Sequence, residues 1–157
     1  MSHLEQELVD LCIRLAQFLG LPKSVGEIYG GVLISKTPVS MEEVIQRHGM
    51  SKGSTSQGLR QLKQLGAIKS RYIPNNRKEH YVAETGLGTL VAGILRNRFE
   101  PGVLDFGERL EEIRRNSTDL NDEHEHLIRK IEKMEQWQEQ VEKVVPTLRH
   151  VLGAKTE

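Results

Sequence analysis

The chain has 157 residues, in which 22 Lys and Arg balance 22 Asp and Glu, enough for one ordinary domain or a small domain with an appendage. It has no run of 18 apolar residues and no basic N-terminal segment followed by an apolar one, so we predict neither a transmembrane helix nor a signal peptide. The single cysteine, Cys12, excludes an intrachain disulfide and is compatible with a reducing cytoplasm, which is the predicted location.

Hydrophobic residues make up 37% of the chain and charged residues 28%, which favours an elongated helical protein whose core is completed by a partner chain. The balanced total conceals an uneven charge distribution. Residues 40–80 hold eight basic and three acidic residues, whereas residues 99–157 hold nine basic and fourteen acidic ones. The basic middle and the acidic end are therefore expected to do different jobs.

Residues 52–78, the basic segment, contain seven cations and no Asp or Glu. The seven are Lys52, Arg60, Lys63, Lys69, Arg71, Arg77 and Lys78. Like charges at this density repel one another, and an anionic partner such as a phosphate backbone relieves the repulsion. A solvated basic face without a ligand is the alternative.

The first two predicted elements are helices. Apolar residues recur every three or four positions over residues 4–19, and Gly20 and Pro22 are predicted to end this helix. Ser24 with Glu27 has the spacing of a capping box and predicts the start of the second helix. That helix contains three glycines, each costing about 1 kcal/mol relative to Ala, so we expect another backbone to approach it closely. Its glycines are Gly26, Gly30 and Gly31.

A helix-turn-helix follows a predicted turn at residues 37–39. Ser40 and Glu43 form a second capping box, Gly49 is a C-terminal stop, and Ser51 caps the next helix, which closes at residues 65–66. The second helix of such a pair is the candidate for reading DNA. Thr55, Leu59 and Leu62 share its inward face, and its outward face carries Gly53, Gln57, Arg60 and Gln64, flanked by Ser54, Ser56 and Gln61.

Two β-prone runs, residues 67–73 and 78–83, flank a Pro/Asn turn and predict a hairpin. A hairpin directly after a helix-turn-helix is the wing of a winged helix. Beyond it, residues 86–99 are predicted to be helical, Pro101-Gly102 to break the chain, and a further helix to run from about residue 105 to 115.

From Leu120 the sequence has a coiled-coil pattern of roughly four heptads, with Pro146 expected to interrupt its end. The seam consists of Leu120, Leu127, Ile131, Met134, Val141, Val145 and Leu148. It is expected to bury against another helix of the same chain or of a second subunit. The sequence thus predicts a mainly α protein: a winged helix-turn-helix domain over residues 1–85, with residues 1–20 able to pack on the dimerisation helices, and a C-terminal helical dimerisation region over residues 86–157.

The residue types on the second helix and the wing suit contact with double-stranded DNA. Gln57 can pair with adenine and Arg60 with guanine or phosphate, the helix N-terminus can hold a phosphate oxygen, and the wing tip can lie over the backbone. The predicted DNA-binding residues are Ser51, Lys52, Gly53, Ser54, Ser56, Gln57, Arg60, Lys63, Arg71, Asn76, Arg77 and Lys78. A solvated role remains the alternative for Gln57, as does a purely capping role for Ser51.

Three blocks of sequence, residues 21–30, 50–60 and 77–83, resemble in the same order the opening, recognition helix and wing of the GbsR-like branch of MarR-type winged helix-turn-helix transcriptional regulators. The resemblance covers about residues 4–85. It implies a transcriptional regulator that binds DNA as a homodimer in a bacterial or archaeal cytoplasm. Some members of this branch respond to choline, but a quaternary ammonium needs a cage of aromatic rings, and the sequence does not show that any of its seven aromatics converge.

Enzymatic, metal and cofactor chemistry are not predicted. The chain has no nucleophile elbow, P-loop or dinucleotide fingerprint. His124 and His126 are two residues apart and would point about 200° apart on a regular helix, so they cannot share an ion there. Glu123 with His126, or His124 with a residue from elsewhere, could share one, but a solvated flank of the coiled coil is the simpler interpretation. A small-molecule effector that changes the separation of two reading helices is compatible with the fold, although no residue identifies it. The alternative function is a protein-interaction adaptor that uses the winged helix and coiled coil without binding DNA.

Overall fold

The structure, a computed structural model, describes residues 1–117 and 122–153. The chain divides into two compact units, Met1–Leu90 and the residues from Val91 onward. The elements up to the end of the sheet are α1 (His3–Phe18), α2 (Lys23–Leu33), β1 (Val39–Ser40), α3 (Met41–His48), α4 (Lys52–Gln64), β2 (Ile68–Arg71) and β3 (His80–Ala83). Those that follow are α5 (Leu87–Ile94), a π-helical turn (Leu95–Phe99), α6 (Glu100–Asn116), a 3-10 turn (Asp122–His124) and α7 (Glu125–Gly153).

Helices α1 and α2 pack closely enough for their backbones to touch at Gly26. A Cβ atom placed on Gly26 would lie 2.7 Å from Ile13 Cα and 2.8 Å from the Cys12 carbonyl oxygen. The predicted close approach of a second backbone is therefore confirmed at this glycine. The predicted cap at Ser24 is wrong, because α2 begins at Lys23, directly after Pro22, and places Ser24 inside its first turn.

The predicted helix-turn-helix is present as α3 and α4. Ser40 caps α3 with Glu43 in a capping box, and Gly49 ends the helix in the left-handed conformation at φ 64°. Ser51 then caps α4 by accepting a hydrogen bond from the Ser54 backbone N–H. These local signals set the bounds of both helices, and they are confirmed.

The hairpin is part of a three-stranded antiparallel sheet in the order β1-β3-β2, and this fold is a winged helix-turn-helix. β1 pairs with β3 through Val39 opposite Tyr81 and Ser40 opposite His80. The sequence predicted a turn at residues 37–39, which is wrong at Val39. Two residues are too short to show strand alternation, and this strand exists because β3, forty residues away, supplies its hydrogen-bonding partner.

His48, the last residue of α3, has a buried side chain whose environment favours its neutral form. Its Nδ1 lies 3.6 Å from Glu27 Oε1, and its buried Nε2 faces Gly31 of α2 without a hydrogen-bond partner among the described residues. Burial lowers the pKa of His48, although the Glu27 carboxylate opposes this. Protonation would add a charge to a site that the helix packing has dehydrated.

We predict that His48→Gln flattens the pH dependence of the free energy of unfolding. A histidine whose folded pKa is depressed contributes stability that is complete above its unfolded pKa of about 6.5 and is lost as the pH falls through the folded pKa. Urea denaturation between about pH 7.5 and 5 should therefore show a smaller loss in the variant than in the wild type. The exposed His3→Gln serves as the control, and equal losses in wild type and His48→Gln would refute the prediction.

From Val91 onward the described chain is helical with fewer interruptions than predicted. Helix α6 follows the π-helical turn directly, and the Glu100 backbone N–H donates to the Leu95 carbonyl. The predicted break at Pro101-Gly102 is wrong because Pro101 lies in the first turn of α6, where its missing N–H is not needed.

Helix α7 also runs through Pro146, so the predicted interruption there is wrong. Val145 beside the proline is buried, and Arg149 Nε lies 2.9 Å from Glu100 Oε1, so packing on both sides offsets the lost backbone hydrogen bond. Of the predicted seam, Leu127, Met134 and Leu148 are exposed in the single chain, and Leu120 lies outside the described residues. Among the described helices, none is both long and apolar enough to cross a membrane.

Candidate nucleic-acid interface

Helix α4 has one buried face and one polar face, as predicted. Thr55, Leu59 and Leu62 are 0–2% exposed, and Gly58 lies against Ile28 of α2. The opposite face exposes Gly53, Gln57, Arg60, Lys63 and Gln64, with Ser56 and Gln61 half-buried at its flanks. This polar face contains no acidic residue and no large apolar one. It therefore has the composition of a surface that can enter a DNA groove.

The N-terminus of α4 is open. Ser51, Lys52, Gly53 and Ser54 are all exposed, and a Cβ atom on Gly53 would meet no atom within 4 Å. The Ser51 hydroxyl accepts from the Ser54 backbone N–H, so it has the capping role that was one of its two predicted uses. The remaining amides of the first turn point out of the helix, where they favour an anion.

The wing tip is an ordered turn. Asn75 takes the left-handed conformation at φ 62°, and the Asn76 backbone N–H donates to the Ile73 carbonyl over 3.1 Å. The Asn76 side chain accepts from the Lys78 backbone N–H at 3.0 Å, and its amide lies 3.5 Å from Nε2 of the buried His80. Because Asn76 is occupied in holding the turn, its described contacts organise the wing rather than reach outward. Arg71, Arg77 and Lys78 stay exposed around it.

The basic segment is free of acids in sequence but not in space. Three of its seven cations form ion pairs with carboxylates from outside residues 52–78. These are Lys63 Nζ with Glu79 Oε1 at 2.5 Å, Lys69 Nζ with Glu84 Oε2 at 3.3 Å, and Lys78 Nζ with Glu42 Oε1 at 3.6 Å. Part of the repulsion that the sequence implied is therefore neutralised within the winged helix itself.

The other four cations of the basic segment remain unneutralised. Lys52 and Arg60 on α4, together with Arg71 and Arg77 on the wing, are exposed and form no ion pair with any described residue. Arg47, a further cation of the helix-turn-helix, instead donates to the Gly31 carbonyl at 2.7 Å. The charge available to an external anion is therefore carried by α4 and the wing.

The carboxylate of Glu79 joins α4 to the wing. It accepts from Lys63 Nζ of α4, from Ser70 Oγ of β2 at 2.5 Å, and from Tyr81 Oη of β3 at 2.9 Å. Lys63, Ser70 and Tyr81, in that order of effect, lower the pKa of Glu79 to about 2, so it stays ionised under all ordinary conditions. Burial and the Glu79 carboxylate raise the pKa of Tyr81 to about 12.

Two acidic residues beside this surface, Glu42 and Glu79, are not among the predicted site residues, because that prediction rested on cationic and neutral polar side chains. Their signal was weak: Glu79 directly follows the cationic pair Arg77-Lys78, and Glu42 lies in the first turn of α3. Within the described ranges 1–117 and 122–153, no group of three or more His, Cys, Asp or Glu is placed to hold a metal ion. His124 lies in the 3-10 turn before α7, so the regular-helix geometry assumed for His124 and His126 does not apply.

A solved structure shares this fold. A scan against protein-family models finds no match. A crystal structure described as that of a transcriptional regulator aligns with a TM-score of 0.71, covering 96% of this chain and 99% of that one at 17% identity. At this identity the likeness establishes the fold alone.

Similarity to a curated protein covers part of the sequence. The chain is 25% identical over 83 residues to the HTH-type transcriptional repressor OpcR of Bacillus subtilis (strain 168). The match takes in 53% of this chain and 45% of the relative, so it spans less than half the relative's length.

Proposed function

We propose that this chain is a transcriptional regulator that binds double-stranded DNA through α4 and the wing. The observation that carries the proposal is the joint placement of the acid-free face of α4 and four unneutralised cations on α4 and the wing. A chain with this surface gains affinity for phosphate by releasing condensed counterions. Its similarity to a helix-turn-helix repressor supports the same assignment.

In this proposal α4 enters the major groove and the contacts divide by chemistry. Gln57 on the exposed face reads base edges, and Arg60 beside it holds a phosphate. The free amides at the start of α4 with Lys52 hold a phosphate, and Gly53 lets the helix backbone come close to the DNA. Arg71, Arg77 and Lys78 on the wing contact the flanking backbone.

We extend the proposal to a homodimer of the GbsR-like branch of MarR-type regulators. Helix α1 carries exposed apolar side chains, with Leu4 at 69% and Phe18 at 85% exposure, and the helices after Val91 expose Met134 and Trp137. Apolar surface of this kind is expected to be covered by a second subunit. A two-fold dimer would bind an inverted repeat with half-sites about 10–10.5 bp apart. Light scattering at micromolar concentration tests this part, and a monomer would refute it.

The proposed regulator is not an enzyme, and it could respond to a small-molecule effector whose class the structure does not identify. The described ring contact between Phe106 and Trp137, with centroids 5.9 Å apart, provides two edge-to-face rings and not a three-sided cage. We therefore propose no effector class. No catalytic constellation enters the proposed mechanism, which needs binding alone.

The test of DNA binding is a mobility-shift assay on the full-length protein, first with random duplex DNA and then with fragments selected from the source genome. A regulator should bind random duplex weakly and selected fragments tightly. The Arg77→Ala/Lys78→Ala double variant should lose affinity for both. Failure of the wild type to bind any duplex would favour the protein-interaction adaptor, in which the winged helix serves as a docking surface.

A further inference from the structure

We propose that Glu79 is a positioning residue that sets the geometry between α4 and the wing, and so governs sequence selectivity. This inference rests on the proposed function. One carboxylate accepts hydrogen bonds from three side chains on three elements: Lys63 of α4, Ser70 of β2 and Tyr81 of β3. No other carboxylate among the described residues accepts hydrogen bonds from side chains on three different elements.

The cluster is anchored at one end and exposed at the other. Tyr81 is 7% exposed and is held between its strand neighbours, Val39 on β1 and Ser70 on β2. Its hydroxyl fixes Glu79 Oε2, which leaves Oε1 to hold Lys63 and Ser70. The position of Lys63, three residues before the left-handed Gly66, is thereby tied to the sheet core.

The Lys63–Glu79 ion pair by itself adds little to stability. The Lys63 and Glu79 side chains are 42% and 46% exposed, and exposed ion pairs contribute little to folding. Loss of the link would have a larger effect on DNA binding than on folding. Helix α4 and the wing must contact DNA at the same time, and base hydrogen bonds tolerate little misplacement. The function of the cluster is therefore to keep the two contact elements in register.

The electrostatic and positioning effects of Glu79 change different quantities, which makes the inference testable. Removing a negative charge beside a DNA-binding surface raises affinity for any duplex. Removing a positioning residue lowers the ratio of affinity for selected fragments to affinity for random duplex. A charge effect alone changes both affinities together and leaves their ratio unaltered.

The experiment compares Glu79→Gln with Glu42→Gln in the full-length protein. Glu42 also faces a wing cation, Lys78, but through a single contact at 3.6 Å. Both variants should bind random duplex more tightly than the wild type. Glu79→Gln should also lower the selectivity ratio by about tenfold, the scale of one disturbed base contact, while Glu42→Gln should leave the ratio unchanged.

A further variant, Lys63→Gln, separates positioning from the effect of charge, and thermal midpoints separate it from loss of folding. Lys63→Gln removes the other end of the link and a positive charge, so it should weaken binding to random duplex and yet lower the ratio as Glu79→Gln does. Thermal midpoints of all three variants should stay near that of the wild type. Equal selectivity ratios for Glu79→Gln and Glu42→Gln would overturn the inference while leaving DNA binding intact. Absence of duplex binding by the wild type would overturn the proposed function and this inference with it.

Discussion

Replacing Arg60 and Arg77 together with alanine is expected to lower duplex affinity by more than about 100-fold at about 0.1 M salt. The two side chains lie on α4 and on the wing, are exposed, and form no ion pair within the described chain. Each phosphate contact contributes about 0.9 to the slope of log affinity against log salt, and a dimer loses four contacts in this variant. The slope should therefore fall by roughly 3.6.

The matched control removes the same charge from elsewhere in the first unit. Lys23 at the start of α2 and Lys36 after its end are exposed and lie outside α4 and the wing. Lys23→Ala/Lys36→Ala should retain a slope near that of the wild type, measured by fluorescence anisotropy over a salt series. Equal losses in the two double variants would mean that net charge, and not this surface, determines binding.

Gly26→Ala is expected to destabilise the fold by about 2 kcal/mol. The added methyl would lie 2.7 Å from Ile13 Cα and 2.8 Å from the Cys12 carbonyl oxygen, both backbone atoms that cannot move without separating α1 from α2. Overpacking of this kind costs up to about 3 kcal/mol, which exceeds the gain of about 1 kcal/mol from replacing a helical glycine with alanine. Urea denaturation measures the difference.

Gly53→Ala is the control for this substitution. It makes the same chemical change in α4, but its Cβ atom would meet nothing within 4 Å. The variant should be as stable as the wild type or up to about 1 kcal/mol more stable. If Gly26→Ala proved as stable as Gly53→Ala, the close contact between α1 and α2 would be wrong.

The helix-turn-helix could be predicted from sequence because its signals are local. Ser40 with Glu43, Gly49 and Ser51 each act within a few residues of the helix ends that they set. The buried and exposed faces of α4 follow from helical periodicity in the same way. This is why the sequence could predict which residues of α4 are buried and which are exposed.

The errors in the fold arise where distant contacts decide the structure. Strand β1 is two residues long and depends on β3 for its hydrogen bonds. Pro101 was expected to stop a helix but lies in a first turn, and Pro146 is tolerated because Val145 and Arg149 make contacts on either side of it. Propensity alone could not reveal these compensations.

Three cations of the basic segment are neutralised by carboxylates that lie outside it in sequence. Counting within residues 52–78 predicted seven cations without acids, whereas folding brings Glu42, Glu79 and Glu84 to three of them. Carboxylates that approach from other elements are invisible in a linear count. The remaining four cations are enough to support the proposal, since a dimer would present about eight phosphate contacts.

The salt dependence of wild-type binding to duplex DNA tests the proposal that α4 and the wing bind phosphate most directly. With about eight to ten phosphate contacts per dimer, the slope of log affinity against log salt should be about −7 to −9. The measurement requires full-length protein and one duplex titrated over a series of salt concentrations. A slope near zero, or no binding at low salt, would contradict the proposal.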